Sequence, residues 1–202
     1  MAKVVAGMTI SLDGYVADPG GSVAALYSDF AAMHEESPLI ESIQATGAVV
    51  MGKNAFAMAE DPDWYAGNYE YQVPIFVLTH TPPPKHPKET PALTFTFVTD
   101  GIESAIRQAK AAAGTRDVTV IGGATTIRQV VQAGLADELS IDIMPVLLGG
   151  GLRLFEPTDF GDGFGPRAAR LKAAPGTDDR APGTADPTSG PDHASPPGPR
   201  LR

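Results

Sequence analysis

The sequence contains no cysteine in its 202 residues. This absence excludes a disulfide framework, a cysteine-ligated zinc site, an iron–sulfur cluster and a thiol nucleophile. Basic residues are also few, since 15 Lys and Arg stand against 24 Asp and Glu, for a net charge of −9. Nucleic acids and anionic membranes attract basic proteins, so neither is expected as a partner. The four histidines are scattered without ligand spacing, so no metal site is expected.

Long apolar runs are missing as well. No segment approaches the ~20 consecutive apolar residues that a membrane-spanning helix needs. The first residues, Met-Ala-Lys-Val-Val-Ala-Gly-Met, do not continue into the long apolar stretch of a signal peptide. We therefore expect a cytoplasmic protein that acts on a small molecule.

Proline is plentiful but unevenly distributed. Eight of the 19 prolines lie in residues 166–202, together with four glycines and seven alanines. Such a segment buries too little apolar surface to offset its loss of conformational entropy. We therefore expect a folded domain over residues 1–165 and a disordered tail over 166–202. The tail holds six basic and four acidic residues, so the folded part is more acidic than the whole chain.

Apolar, β-branched segments alternate with helical segments along the predicted domain. This order predicts an α/β fold with a mainly parallel sheet between helices. Ligands of such sheets bind beyond the carboxyl ends of the strands, and glycines follow three of these ends, at Gly52, Gly122–Gly123 and Gly149–Gly151. Strands are predicted over 3–10, 47–51, 73–79, 93–98, 117–121 and 138–146, and helices over 28–36, 39–46, 53–58, 101–113 and 123–133.

The segment Val-Ile-Gly-Gly-Ala-Thr-Thr carries a candidate phosphate site. A buried strand runs into Gly122 and Gly123 and then directly into a helix. The amides of Ala124, Thr125 and Thr126 at the start of that helix, together with the helix dipole, suit a pyrophosphate. An ordinary strand-to-helix turn is the alternative interpretation.

Four further features have two interpretations each. Lys53, just after Gly52, is either a phosphate contact or a solvated surface lysine. Asp13, in the turn after the first strand, either positions a polar substrate or forms an Asx turn. The glycines at 149–151 belong either to a flap over a pocket or to a flexible connection. The aromatic loop 61–71 either caps a substrate pocket or packs on itself, and the second interpretation is favoured.

Five motifs occur in a fixed order over about residues 3–156. Together they resemble the dihydrofolate reductase superfamily, in particular the reductase domain at the C-terminal end of the bifunctional deaminase-reductase of riboflavin biosynthesis. The resemblance implies a three-layer α/β/α sandwich with a mainly parallel mixed sheet, NADPH as hydride donor, and a homodimer. The motifs are Ser-Leu-Asp-Gly, Val-Val-Met-Gly-Lys, Pro-Ile-Phe-Val-Leu-Thr-His-Thr-Pro, Val-Ile-Gly-Gly-Ala-Thr-Thr and Pro-Val-Leu-Leu-Gly-Gly-Gly.

The resemblance also implies an activity and its residues. The activity is reduction of a pterin-like or aminopyrimidine-like substrate, and the reference reaction reduces 5-amino-6-(5-phosphoribosylamino)uracil in riboflavin biosynthesis. The candidate catalytic residues are Asp13, Asp29 and Glu36, of which Asp29 and Glu36 are the candidate proton donors. Lys53 stands where the family usually has arginine, which weakens the preference for NADPH over NADH. The implied cofactor contacts are Ala6, Gly52, Lys53, Asn54, Thr79, Gly122, Gly123, Ala124, Thr125 and Thr126.

Two departures from the family pattern favour an alternative function. Tyr15 stands where the riboflavin enzymes carry a lysine, which argues against a phosphorylated substrate. After Pro157 no alternating apolar segment remains for the family's last strands, so we expect an unpaired sheet edge. The alternative is an inactive NADP(H)-binding sensor or a structural dimer.

Overall fold

The computed structural model describes residues 2–27, 37–156, 159 and 169–173. Short 3-10 turns lie at Ala24–Tyr27 and Pro62–Trp64. The helices are α1 (Ser37–Ala45), α2 (Lys53–Phe56), α3 (Tyr65–Asn68, kinked), α4 (Ile102–Ala113) and α5 (Ala124–Gln132). The strands are β1 (Val4–Ser11), β2 (Tyr15–Ala17), β3 (Thr46–Gly52), β4 (Ile75–Leu78), β5 (Phe95–Val98), β6 (Asp117–Ile121), β7 (Glu138–Met144), β8 (Leu152–Arg153) and β9 (Ala169–Ala173).

Seven of the strands form one sheet in the order β5-β4-β3-β6-β1-β7-β9. Each of its ladders is parallel. Every residue of the central strand β3 is buried, as expected for a strand covered by helices on both faces. The antiparallel pair β2–β8 forms a separate two-stranded sheet. The predicted α/β fold around a mainly parallel sheet is therefore confirmed.

Helices cover both faces of the large sheet. Alternate residues of β3 point to opposite faces, so Ala48 and Val50 pack with α4 and α5. Val49 and Met51 pack on the other face, with residues of α1 to α3. These two apolar layers make the molecule a three-layer α/β/α sandwich, as the resemblance implied.

The C-terminal strand corrects the predicted domain boundary. Residues 169–173, which the sequence analysis assigned to a disordered tail, form β9 and pair with β7 from Leu139–Ala169 to Ile143–Ala173. The boundary at 165 and the expected unpaired edge of β7 are therefore wrong. A strand is stabilised by the ladder it joins as well as by its own residues, so composition missed it. The rest of the tail, and the helix predicted over 28–36, lie outside the described residues.

Candidate active site

The carboxyl ends of β3 and β6 meet at one edge of the sheet. The amide of Gly52, at the end of β3, donates a hydrogen bond of 3.0 Å to the carbonyl of Gly122. Helix α2 begins directly after Gly52, and α5 begins after Gly123, so two helix starts lie side by side. After β3 the chain continues to β4 and β5 on one side of this junction, whereas after β6 it continues to β7 on the other side. Such a change of direction is where open parallel sheets bind ligands.

The turn before α5 leaves backbone amides facing this edge. Gly122 has φ +52°, in the left-handed region that favours glycine, and the Gly122–Gly123 peptide is cis. Gly123 is the extended N-cap residue, and its carbonyl accepts hydrogen bonds from Thr126 (2.9 Å) and Ile127 (3.2 Å). The amides of the first two helix residues, at 124 and 125, precede the first intrahelical bond. They are therefore available to an anion.

Packing between the two turns is tight at one glycine and open at the other. A Cβ on Gly52 would collide with the hydroxyl of Thr126, which is buried. A Cβ on Gly123 would meet no atom within 4 Å. The structure thus brings the predicted residues Gly52, Lys53 and Gly122 to Thr126 together, and open space lies in front of Gly123. Their binding of a cofactor remains a prediction.

An apolar cavity of about 330 Å³ opens beside Lys53. Thr79, one of the cofactor contacts that the resemblance implies, lies in its wall, and its hydroxyl donates to the carbonyl of Thr81 at 2.8 Å. The apolar lining was not singled out from sequence, because it comes from separate segments that only the fold unites. The lining is Lys53, Phe56, Ala57, Val77, Thr79, Thr81, Pro82, Pro83, Pro84 and Phe97.

Two predicted contact residues differ in accessibility. Ala6 is fully buried, and its side chain packs in the core beneath α4 and α5. Any contact that Ala6 makes with a ligand therefore involves its backbone. Asn54 is exposed in the first turn of α2, next to Lys53.

Asp13 joins two loops. Its carboxylate accepts hydrogen bonds from the Ser11 hydroxyl (2.6 Å) and from the amides of Leu148 (3.1 Å) and Gly149 (2.7 Å). The Ser11 bond, followed by these amides, lowers the pKa of Asp13 from 3.8 to about 2. Asp13 is therefore ionised at neutral pH and has no proton to donate. The candidate proton donors, Asp29 and Glu36, lie outside the described residues.

The glycine-rich segment after β7 is tied to the loop after β1. Leu12 donates to the carbonyl of Val146 (2.9 Å), Leu154 donates to that of Gly14 (3.2 Å), and β2 pairs with β8. A Cβ on Gly151 would collide with the backbone of Ala17. These contacts argue against the interpretation of this segment as a flexible connection.

Arg153 was not singled out from sequence, although it lies in this pair of loops. Its guanidinium donates to the Tyr15 hydroxyl at 2.9 Å and lies 4.4 Å from the centre of the Tyr15 ring. The two residues are 138 positions apart. No local signal predicts such a contact, since only the pairing of β2 with β8 brings them together.

The sheet face next to the end of β1 is polar. Thr9 and Asp142 are register partners on β1 and β7. Burial raises the pKa of Tyr27, and a hydrogen bond with the Thr9 side chain partly opposes this increase. The negative charges of Asp142 and Glu70 add to the increase. These groups lie near the loop after β1, and none of them was a candidate from sequence.

The aromatic loop 61–71 does not form the separate core favoured above, because Tyr65 and Tyr71 belong to the apolar core on one face of the large sheet. The Tyr65 ring stacks on Phe56 at 5.3 Å, and its hydroxyl donates to the Phe56 carbonyl at 3.0 Å. Tyr65 and Tyr71 are buried, whereas Trp64 is half exposed.

Within the described ranges, His, Asp and Glu side chains form no group of three that could hold a metal ion. In the same ranges, no helix has both the length and the apolar composition to cross a membrane.

The three-layer sandwich and the glycine-lined crevice at its strand ends define a protein of the dihydrofolate-reductase-like class. The family model of the RibD C-terminal domain matches residues 2–175, and the chain belongs to this family. The resemblance to the reductase domain of the riboflavin deaminase-reductase is thereby confirmed.

Individual relatives agree with this membership. The YyaP protein of Bacillus subtilis (strain 168), itself uncharacterised, is 24% identical over 162 residues, which cover 76% of this chain and 80% of YyaP. A structure from Shewanella sp. PV-4, named as a candidate riboflavin biosynthesis protein, is 27% identical with a TM-score of 0.58, and the match covers 76% and 83% of the two chains.

A bifunctional protein of Thermotoga maritima has the same fold. It is a diaminohydroxyphosphoribosylaminopyrimidine deaminase/5-amino-6-(5-phosphoribosylamino)uracil reductase, 17% identical to this chain with a TM-score of 0.54. The match covers 76% of this chain and 48% of that protein, so this chain corresponds to about half of it.

Proposed function

We propose that the chain is an NADPH-dependent oxidoreductase that reduces a C=N or C=O bond in a small heterocyclic substrate, pterin-like or aminopyrimidine-like. The observation that carries this proposal is the junction of β3 and β6, where the turns at Gly52 and Gly122 meet beside an apolar cavity. Membership of the RibD C-terminal domain family supports the oxidoreductase class.

The residues at the junction fit the phosphates of a dinucleotide. The amides of Ala124 and Thr125 and the dipole of α5 would bind the pyrophosphate, and the open space at Gly123 admits it. Lys53 is exposed beside them and supplies a positive charge within an acidic protein. Gly52, Asn54 and the Thr126 hydroxyl would complete the contacts.

The cavity fits the adenosine end. Its volume of about 330 Å³ lies within the range of small-molecule sites. Phe56 and Phe97 offer apolar ring surface for an adenine, and Thr79 lies in the wall near Lys53. A cofactor that spans the cavity and the turn at Gly123 would then direct its nicotinamide toward the loop after β1.

When bound, NADPH supplies the hydride, and the task of the chain is to orient and enclose the reactants. Asp13 holds the loop after β1 against Leu148 and Gly149, which fixes one wall of the nicotinamide end. Because Asp13 is ionised at neutral pH, it positions the loop and does not donate the proton. Asp29 and Glu36 remain our proposed proton donors.

Cellular context is part of the proposal. The reference reaction of riboflavin biosynthesis defines the type of substrate that we propose, and we place the enzyme in the cytoplasm as a homodimer. The exposed side chains of Leu12 and Leu147 are available to a second subunit. Size-exclusion chromatography with light scattering checks the dimer, and a monomer would contradict it.

The competing function is an NADP(H)-binding sensor without turnover. It is favoured by Tyr15, which stands in place of the family's lysine. Oxidation of NADPH, followed at 340 nm against dihydropterins, aminopyrimidines and quinones, separates the two. Turnover on any of these supports the oxidoreductase. Tight NADPH binding with no turnover supports the sensor, and absence of binding contradicts both.

Lys53 offers a matched test of the cofactor site. We expect Lys53→Met to weaken NADPH binding about 10-fold, because it removes a charge-assisted phosphate contact. Lys88→Met, which removes an exposed lysine from another loop, should leave binding unchanged. Equal effects of the two variants would show that only the overall charge matters.

A further inference from the structure

Arg153 is held in one orientation beside the loop that follows β1. The antiparallel pairing of β2 and β8 places it opposite Tyr15. Its Nη2 donates to the Tyr15 hydroxyl at 2.9 Å, and its guanidinium carbon lies 4.4 Å from the ring centre. A side chain fixed by both a stacking contact and a hydrogen bond loses little further entropy when it binds a ligand.

The positive charge of Arg153 is not used within the described structure. In those ranges no carboxylate forms an ion pair with it, whereas Arg128 pairs with Asp159 and Lys85 with Asp63. Asp13, the acid of the neighbouring loop, directs its oxygens to Ser11 and to the amides of the segment after β7. One N–H of the guanidinium serves Tyr15, and a guanidinium has five.

The guanidinium lies beside the loop after β1, toward which the proposed cofactor would direct its nicotinamide. A Cβ on Gly14 would lie 3.9 Å from its Nη1. The chain as a whole carries net charge −9, so an anionic ligand needs a local cation here. Tyr15 occupies the place of the lysine in the riboflavin enzymes. Its contact with Arg153 of β8 nevertheless puts a positive charge at that place.

We propose that Arg153, oriented by Tyr15, binds an anionic group of the substrate, a phosphate or a carboxylate. The inference rests on the proposed function and adds to it that the heterocyclic substrate is negatively charged. Guanidinium and these oxyanions form paired hydrogen bonds in one plane, which gives geometric selectivity. The anion-binding loop would then lie at the opposite end of the crevice from Lys53.

The test uses the full-length protein saturated with NADP⁺, so that the cofactor site is filled. Calorimetric titrations compare uridine 5′-monophosphate with uridine, and orotate with uracil, each pair differing by one anionic group. We expect at least one anionic probe to bind about 10-fold or more tightly than its neutral partner. The pair that shows this preference identifies phosphate or carboxylate as the group.

Variants assign the preference to Arg153. Arg153→Met should abolish it and leave binding of the neutral probe unchanged, and Arg153→Lys should retain part of it. Tyr15→Phe, which keeps the ring and removes the hydroxyl, should reduce the preference by a smaller factor. Arg116→Met, which removes an exposed arginine before β6, is the matched control and should keep the full preference.

Four outcomes would overturn the inference. In the NADP⁺-loaded wild type, these are equal affinity for the charged and neutral probes, or no binding of any probe. In Arg153→Met, they are an unchanged preference for the anionic probe, or an equal loss of affinity for both probes. The last would show a structural role alone. Failure of NADP⁺ to bind appears in the first titration and contradicts the proposed function itself.

Discussion

Asp13 shows how one half-buried side chain can organise a crevice. Its carboxylate accepts hydrogen bonds from Ser11 and from two amides that follow it by 135 and 136 positions. An ionised acceptor binds the Ser11 hydroxyl, and then these amides, more strongly than a neutral one, which is why the pKa of Asp13 falls to about 2. The motif Ser-Leu-Asp-Gly indicates a turn from sequence, but its distant partners depend on the fold.

We expect Asp13→Asn to loosen the segment that contains Leu148 and Gly149. Amide hydrogen exchange, expressed as protection factors, should show lower protection of these two amides at pH 7. Because the folded-state pKa of Asp13 lies below its ordinary value of 3.8, its stabilisation is present above about pH 4. It is lost as the pH falls through about 2, so the wild type and the variant should converge there.

The matched control is Asp63→Asn in a distant loop. Lys85 lowers the pKa of Asp63, which also accepts a hydrogen bond from the Lys88 amide. This variant should reduce protection of the Lys88 amide and leave residues 148 and 149 unaffected. Equal protection of Leu148 in the wild type and Asp13→Asn at neutral pH would rule out the proposed link between the loops.

At the scale of elements, two strand–helix junctions make the site. Strand β3 ends at Gly52 and helix α2 follows it directly, whereas Gly122 and Gly123 lie between the end of β6 and the start of α5. These features are predictable from sequence because apolar runs, glycines and helix starts each involve residues that are close together in the chain. The cavity behind Lys53 and the contact of Arg153 with Tyr15 were not predictable, because each joins segments that only tertiary folding brings together.

The two glycines of the junction should respond differently to alanine. Gly52→Ala should lower the free energy of unfolding by about 1–3 kcal/mol, since its Cβ collides with Thr126. It should also weaken NADPH binding by displacing the start of α5. Gly123 has φ −73°, which alanine adopts readily, and a Cβ there meets open space. Gly123→Ala should therefore lower the free energy of unfolding by no more than about 1 kcal/mol.

Urea unfolding of the two variants provides the measurement. A Gly52→Ala protein as stable as the wild type would mean that the two turns are not in close contact. A large loss in Gly123→Ala would mean that the space in front of this residue is filled by protein.

At the scale of the whole molecule, β9 completes the edge of the sheet. Composition predicted disorder for residues 169–173, but pairing with β7 places them in a strand. The error has a physical origin, since a short strand of mixed composition is stabilised by its partner rather than by its own apolar residues. The mainly parallel sheet between helices, by contrast, follows from alternating patterns that extend over the whole domain, and the family resemblance implied its three layers.

Truncation separates the contribution of β9 from that of the tail. A chain that ends at residue 165 should melt at a lower temperature and self-associate, because the edge of β7 loses its partner. A chain that ends at residue 175 should melt close to the full-length protein. Light scattering and thermal melting measure both. Identical behaviour of the two truncated chains would contradict a stabilising role of β9.

The central claim is that the turn before α5 binds the pyrophosphate of NADPH, and fluorescence titration of NADPH into the full-length protein tests it most directly. Gly123→Asp places a carboxylate where that group would lie, while aspartate is a good N-cap residue and should preserve α5. We predict saturable binding by the wild type and by Gly123→Ala, and none by a folded Gly123→Asp. NADPH binding by Gly123→Asp with unchanged affinity would contradict the assignment.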